Sequence, residues 1–443
     1  MGETRAAGEG AVGAPAGPLS VAVLVELVRS RSAGGHVKCW ERFAEAAAAA
    51  SRGGHTAVDL TVYVLGDHEY VEPLSPRVRF VGLRPVLSTA PLTRAIGGDV
   101  ADMAPYHPRL ARLLPRHDVW HLTHTFAFAA TAGRLARRAS RSGAGRPGLV
   151  CSVHTDVPAL ASVYVRQLAR RVPRPAGPAA RGASEFVGTV VRWRRDRLLR
   201  MCDRVLVGSS QDRAEIEAVV GRERVALLRR GTDHERFGPD PTARDALARE
   251  HGIPGDRPLV LFAGRVDETK RVWTVAEAVH RVRQRRPVHL VVAGAGADAG
   301  RIARLLGPDV TLLGALAQER LAGVYAACDL FAFPSRTETV GNVVAEAMAS
   351  GLPVVLPEGA RTTQWLAEPG ADGLVVRDDD PTGWTRALDT LLAHPDRRRA
   401  MGLRAAATAR ERHPSWGRVL SEDLLPAWHE AAARGTRPHP RRA

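Results

Sequence analysis

Between residues 259 and 376 the chain repeats one unit, a short and almost wholly apolar run followed by a longer stretch with helical spacing. The runs fall at 259–263, 289–293, 310–313, 330–333, 354–356 and 374–376. A strand without a polar face has to be covered on both sides, and its alternation with helices is the pattern of a parallel sheet between helical layers. The same rhythm runs through the first half, with strands at 20–25, 58–65, 119–122, 149–153 and 204–207 and helices that include 129–139 and 211–220. After Gly231 it is interrupted by the loop-like HERFGPDPTARD and then starts afresh. A chain of 443 residues also exceeds one ordinary core. The fold class that satisfies these constraints is α/β, with two doubly wound Rossmann-like domains facing across a cleft. The expected divisions are a disordered arm over 1–18, domains over 19–235 and 236–414, a last helix over 415–433 and a basic tail over 434–443. Ligands of such sheets bind beyond the carboxyl ends of the strands.

Hydrophobic residues make up 45% of the chain and charged residues 25%, as in water-soluble globular proteins. No apolar run approaches the ~18 residues needed to span a bilayer, and the start lacks a basic, apolar and cleavable leader. A cytoplasmic protein is expected, at most peripheral on the inner membrane face. Cys39, Cys151, Cys202 and Cys328 are far apart, without a C-x-x-C pair, and read as buried reduced thiols. The net charge of +16 is concentrated. Residues 166–200 hold ten arginines against Glu185 and Asp196, and the tail from Arg434 adds four arginines and no acid. Such a run is either a solvated face or a contact for an anionic surface, and no nucleic-acid recognition motif accompanies it.

The segment PSRTETVGNVVAEAMASGLP, from Pro334 to Pro353, places Glu338 and Glu346 eight positions apart around Gly341. Its second half has helical spacing and stops at Gly351-Leu352-Pro353. Glu338 is therefore expected in the loop before a helix, and Glu346 a little over one turn inside it. The unpaired amides between them, around Gly341, Asn342 and Val343, form a ready anion site at the positive end of the helix dipole. A phosphate flanked by two polyols suits that layout, which is how a nucleotide sugar is built.

Other candidates fall at strand ends. FAGRVDETK carries Arg265 and Lys270 past the strand at 259–263, where two cations suit a diphosphate or simply pair with Asp267 and Glu268. Gly294-Ala295-Gly296 loosely resembles a dinucleotide fingerprint, though its spacing to Gly300 is one position long, and a tight turn beside a nucleotide explains it equally. Gly34-Gly35 opens the first helix, so that its amides face either an anion or a neighbouring strand. His154 and Asp156 in VHTDVP follow a strand into the same cleft, and His121 and His124 are further candidates around the end of the strand that begins at Val119. Asp378 to Asp380 look like a helix start rather than a metal site, and no metal site is expected.

The order FAGRVDETK, LVVAGAG, VTLLGALAQERLAGVYAACDLFAFPS and TETVGNVVAEAMASGLPVV resembles the donor domain of the retaining family-4 glycosyltransferases of GT-B fold. The resemblance covers roughly residues 20–430 and is densest over 259–376. It implies that Arg265 and Lys270 hold a diphosphate, that Glu346 binds ribose hydroxyls and that Glu338, first acid of an E-x7-E motif, meets the transferred sugar. It further implies that Gly35 approaches the phosphate from the first domain, that Gly341, Asn342 and Val343 offer amides to it, and that His154 contacts the sugar near the reaction centre. Metal independence and a last helix crossing back onto the first domain follow by the same analogy. Residues 166–200 are longer and more basic than the corresponding connection in that family.

The expected activity is transfer of a hexosyl group, with retention, from a nucleotide diphosphate sugar to an acceptor hydroxyl of a small molecule, glycan or lipid. A UDP-sugar is favoured and GDP-mannose is the alternative, acting as co-substrate with no resident cofactor. Asp156, His121 and His124 are the acceptor-side candidates, and 166–200 is the candidate contact for an anionic membrane. No nucleic-acid partner is expected. The rival readings are a sugar epimerase or phosphorylase on the same scaffold and a protein that only binds anionic surfaces.

Overall fold

A computed structural model describes residues 17–29, 35–53, 58–91, 100–143, 145–153, 177–338, 340–377 and 380–435, with the backbone alone for 177–187, 210 and 211. The arm before residue 17, Gly34, His154, Asp156, Asp378, Asp379 and the tail beyond 435 lie outside the described residues.

Two sheets organise the chain. The first holds β1 (Leu19–Val28), β2 (Val58–Leu65), β3 (Tyr70–Ser75), β4 (Val78–Leu83), β5 (Val119–Leu122), β6 (Gly148–Val153), β7 (Arg204–Val207) and β8 (Val225–Leu227), in the spatial order β3-β4-β2-β1-β5-β6-β7-β8. All neighbours are parallel except the β3–β4 pair. The second holds β9 (Leu259–Ala263), β10 (His289–Ala293), β11 (Val310–Gly314), β12 (Leu330–Ala332), β13 (Val354–Pro357) and β14 (Gly373–Val376), ordered β11-β10-β9-β12-β13-β14 and parallel throughout. Chain direction across each sheet reverses once, between β1 and β5 and between β9 and β12. Those two switch points are where the crossovers part and leave a crevice.

The apolar runs behave as their composition requires. Every residue of β9 and β10 is buried, with helices on both faces. In the first domain one core lies between the sheet and α1 (Gly35–Arg52), and a second lies under α2 (Ala127–Ser142), the end of α3 (Gly177–Leu199) and α4 (Ser210–Val220). The helices that matter for the second domain's site are α5 (Val272–Val282), α6 (Gln318–Ala327) and α7 (Asn342–Ala349). The sequence reading omits the hairpin of β3 and β4. Tyr70–Ser75 carries Pro73 and alternates between part-exposed and exposed positions, which is the pattern of an edge strand rather than of the buried strands around it.

The chain returns to the first domain at its end. Thr232 bridges to Ser415, a short helix over Trp416–Val419 and a π-turn over Leu420–Leu424 follow, and α8 (Leu425–Arg434) packs Trp428 and Ala431 into the core beside α1. The expected crossover helix is therefore present. Beside the cleft, Arg361 of the second domain reaches Asp212 in the first turn of α4 at 2.6 Å. All four cysteines are buried thiols.

Candidate active site

The site forms where α7 begins. Gly341 adopts φ +72°, and a Cβ there would stand 2.5 Å from Thr362 Cγ2, so glycine is needed for both its backbone and its lack of side chain. The turn carries the chain from Glu338 into the helix, where Asn342 is the first residue and Glu346 the fifth. Trp365 Nε1–H holds the loop from below by donating to the Val340 carbonyl at 2.7 Å. The first amides of a helix have no carbonyl within it to bond, so those of Asn342 and Val343 point out of its positive end. Two buried oxygens flank the turn, Asn342 Oδ1 and Thr362 Oγ1, and neither has a hydrogen-bond partner among the described residues.

Lys270 comes from the loop after β9. Asp267 caps the short 3-10 turn Glu268–Lys270 by accepting from the Lys270 amide, and Arg271 then takes a left-handed conformation, φ 55°, before α5 begins. The result brings the Lys270 ammonium onto the Glu338 carboxylate, where it donates a hydrogen bond. Arg265 stays exposed and leans on its own loop, 3.6 Å from Asp267 and 3.4 Å from Thr269 Oγ1. Glu346 keeps some solvent contact, yet the protein around it is dense enough that burial raises its carboxyl to about 7. Tyr325 of α6 donates its hydroxyl to Glu346 at 3.3 Å, and the positive charge of Arg42 on α1 acts on the same carboxylate from the first domain. The structure thus gathers Glu338, Gly341, Asn342, Val343, Glu346 and Lys270, with Arg265 at the rim.

The Gly294-Ala295-Gly296 turn serves a purpose the sequence did not suggest. A Cβ on Gly294 would lie 1.8 Å from the Gly264 carbonyl oxygen and one on Gly296 2.2 Å from that of Val266. These glycines let the loops after β9 and β10 press backbone to backbone, which sets the path of the Arg265–Lys270 loop.

On the first domain, Gly35 opens α1 with His36 beside it. His36 and His124 meet edge to face, centroids 4.3 Å apart, with Thr123 between them. The Thr123 hydroxyl donates to the Leu24 carbonyl at 2.8 Å, so it accepts from His36 Nε2 at 3.1 Å and from His124 Nδ1 at 3.0 Å. That fixes both tautomers, and His124 keeps an unprotonated Nε2. Burial lowers His124 to about 4, which leaves the ring neutral at ordinary pH. His121 lies elsewhere than expected. Within β5 it is fully buried, accepting at Nδ1 from Trp428 Nε1–H at 2.9 Å and donating from Nε2 to Ser152 Oγ at 2.8 Å. The pleat turns it onto the α8 face, so it ties the crossover helix to the sheet beneath the cleft.

Glu26, absent from the sequence reading, anchors this side. It is a buried acid at the end of β1 that accepts from the backbone amides of Phe126 and Ala129 and so pins the start of α2 next to His124. A single acid in an apolar strand, VLVELV, was the signal available for it. Among the described residues no three His, Cys, Asp or Glu side chains are arranged to hold a metal, and no helix is long and apolar enough to cross a membrane.

Two Rossmann-like domains, a cleft between their switch points and a helix start flanked by two acids and a lysine define a GT-B architecture. Residues 34–236 match the family described as Glycosyltransferase Family 4, and residues 257–394 match Glycosyl transferases group 1. The chain belongs to the family-4 glycosyltransferases. It is 32% identical over 294 residues to the GDP-mannose-dependent alpha-mannosyltransferase of Mycobacterium tuberculosis, covering 65% of this chain and 67% of that one. It is 29% identical over 281 residues to the D-inositol 3-phosphate glycosyltransferase of Nocardia farcinica, where the alignment spans 60% of each chain. In three dimensions it resembles sucrose-phosphate synthase from Thermosynechococcus elongatus, with TM-score 0.67 and 22% identity over 94% of this chain and 100% of the other. Anabaena HepE, solved with UDP and glucose, gives TM-score 0.63 and 17% identity over 92% and 100%.

Proposed function

We propose that this protein is a retaining glycosyltransferase that moves a hexosyl group from a nucleotide diphosphate sugar to an acceptor hydroxyl. The reading rests on one observation: α7 starts at a glycine turn with Glu338 and Lys270 at its mouth, Glu346 one turn in, and outward amides with an unpartnered Asn342 Oδ1 between them. In this reading Arg265, Lys270, the amides of Gly341, Asn342 and Val343 and the Gly35 end of α1 receive the diphosphate. Glu346 accepts from the ribose hydroxyls and Glu338 faces the transferred sugar.

Transfer proceeds on the front face. The anomeric carbon–oxygen bond to the diphosphate breaks, the acceptor oxygen bonds the same face of that carbon, and the acceptor proton passes to the departing phosphate oxygen. Glu338 stabilises the positive charge that develops on the sugar, while cations and helix dipole take up the negative charge on the leaving group. No resident cofactor belongs to this scheme. His154 is assigned to the sugar by family resemblance, and His124, with its unprotonated Nε2, is suited to accept from an acceptor hydroxyl. UDP is the favoured nucleotide, supported by the UDP-bound HepE likeness, and GDP is the alternative, supported by the mannosyltransferase relative.

Thermal-shift screening with UDP, GDP and ADP sugars tests the donor site. A ligand at about 100 times its Kd adds about 2.7 kcal/mol of stability and raises the melting point visibly. If none of them shifts it, the donor reading falls. Capture of a covalent glycosyl–Glu338 species would replace the front-face route by double displacement.

A further inference from the structure

The arginine excess noted in 166–200 has a neighbour that the sequence did not single out. Arg134, Arg137, Arg138 and Arg141 recur along α2 at helical spacing, so all four share one face, and with Ser142 they line a shallow cavity of about 510 Å³. Beside it the second half of α3 presents Val190, Trp193, Arg194 and Arg197 at the same spacing, all exposed, with Trp193 57% exposed. The two stripes adjoin. A Cβ on Gly133 of α2 would lie 3.5 Å from Leu198 of α3, and the charge of Arg197 is felt at Arg137.

Among the described side chains no acid offsets this face. Helix α2 has none, and Asp196 on α3 is engaged by Arg195 at 2.9 Å. Among the described residues Arg134, Arg137, Arg138, Arg141, Arg192, Arg194, Arg197 and Arg200 form no ion pair, although arginines elsewhere on the chain are widely paired. Ordinary solvated faces intersperse both signs of charge, because like charges side by side repel. The Arg197 guanidinium lies 5.4 Å from the Trp193 ring centroid, so the exposed indole sits within the cationic field.

We propose that the face formed by α2 and α3 docks the protein on an anionic phospholipid bilayer. Rows of guanidinium groups meet lipid phosphates, and an indole with Val190 at its side enters the headgroup region where amphipathic rings partition. A duplex nucleic acid would engage the arginines but has no place for the apolar pair. The proposal goes beyond the reaction and does not rest on it, since its readout is binding alone.

The test uses the full chain and vesicles of about 30% phosphatidylglycerol in phosphatidylcholine, compared with pure phosphatidylcholine, at about 0.1 M salt. The chain is expected to sediment with the anionic vesicles only. Replacing Arg138, Arg141, Arg194 and Arg197 by Gln, with an unchanged melting curve, is expected to weaken binding at least about tenfold, and Trp193→Ala to weaken it severalfold. The idea is overturned by equal binding of both vesicle types, by undiminished binding of the four-site variant, or by loss of binding on neutralising Arg437, Arg441 and Arg442 instead. Displacement by inorganic phosphate at constant ionic strength would mark a soluble-phosphate site and overturn it too.

Discussion

The Lys270 ammonium donates to the Glu338 carboxylate, joining the loop after β9 to the loop after β12 across the switch point of the second sheet. Under the proposed function, a diphosphate entering the site would have to draw Lys270 away from that carboxylate. Lys270→Ala is therefore expected to weaken nucleoside diphosphate binding by about 10- to 100-fold, the worth of a charge-assisted hydrogen bond. Glu338→Gln removes the competitor, so binding stays level or tightens while turnover drops by about 100-fold or more. Titration calorimetry with UDP and GDP beside turnover measurements separates the two. Equal loss of nucleotide binding in both variants would end the proposed division of labour.

Glu346 gives the donor site a pH dependence. Burial places its carboxyl near 7, and in the proposed donor site ribose hydroxyls would donate to the ionised form. Affinity for the nucleotide sugar is expected to weaken as pH falls from 8 to 6, by up to about tenfold at one unit below the midpoint. The sugar nucleotide is the right probe, because the terminal phosphate of a free nucleotide itself titrates near about 6. Glu346→Gln should flatten the profile; the same slope in that variant would assign the effect to another group.

What the sequence could show depended on whether the information was local. β2, β5, β7, β9 and β10 have the bounds read from their apolar runs, since a strand with no polar face identifies itself. Glu338 and Glu346 were legible because both lie in one contiguous loop-helix unit. Their partners were not: Lys270 stands 68 positions before Glu338, and the amides that hold Glu26 come about 100 positions after it. The sequence alone puts His121 at the cleft, because position 121 lies near the carboxyl end of β5, where ligands of such sheets bind. The bounds of β5 agree, but which face of the strand carries the ring depends on the packing of Trp428, 307 positions later, and so is not legible locally. The glycines at 294 and 296 looked like ligand glycines because sequence gives no view of the backbone they approach.

Glu26 is expected to set how stability varies with pH in the first domain. Burial raises its folded-state value from the ordinary 4.5 to about 8, against the opposing pull of the Ala129 and Phe126 amides. The folded chain then holds a proton that the unfolded chain releases, so this contribution is fully present below pH 4.5 and is lost as pH rises toward 8. Glu26→Gln does not titrate. Unfolding free energies from urea titrations should show the wild type losing stability relative to Glu26→Gln as pH rises from 4.5 to 8, by on the order of a few kcal/mol in total; parallel profiles would show that Glu26 ionises normally.

Gly341 and Thr362 make the shape of the helix start testable apart from its charge. Alanine at 341 meets two penalties, a left-handed backbone worth about 1–2 kcal/mol and overlap with the Thr362 methyl 2.5 Å away. Gly341→Ala should retain the fold, since a penalty of this size is local to the turn even with Val340 and Val344 in the core beside it, while the turn shifts and donor binding falls by more than about tenfold. Thr362→Ser deletes the offending methyl and keeps the hydroxyl. The double variant is then expected to recover part of the affinity, short of wild type by the backbone penalty that no neighbour can relieve. Calorimetry on the single and double variants decides it: no recovery would mean that the turn conformation alone, without the Thr362 contact, positions the amides.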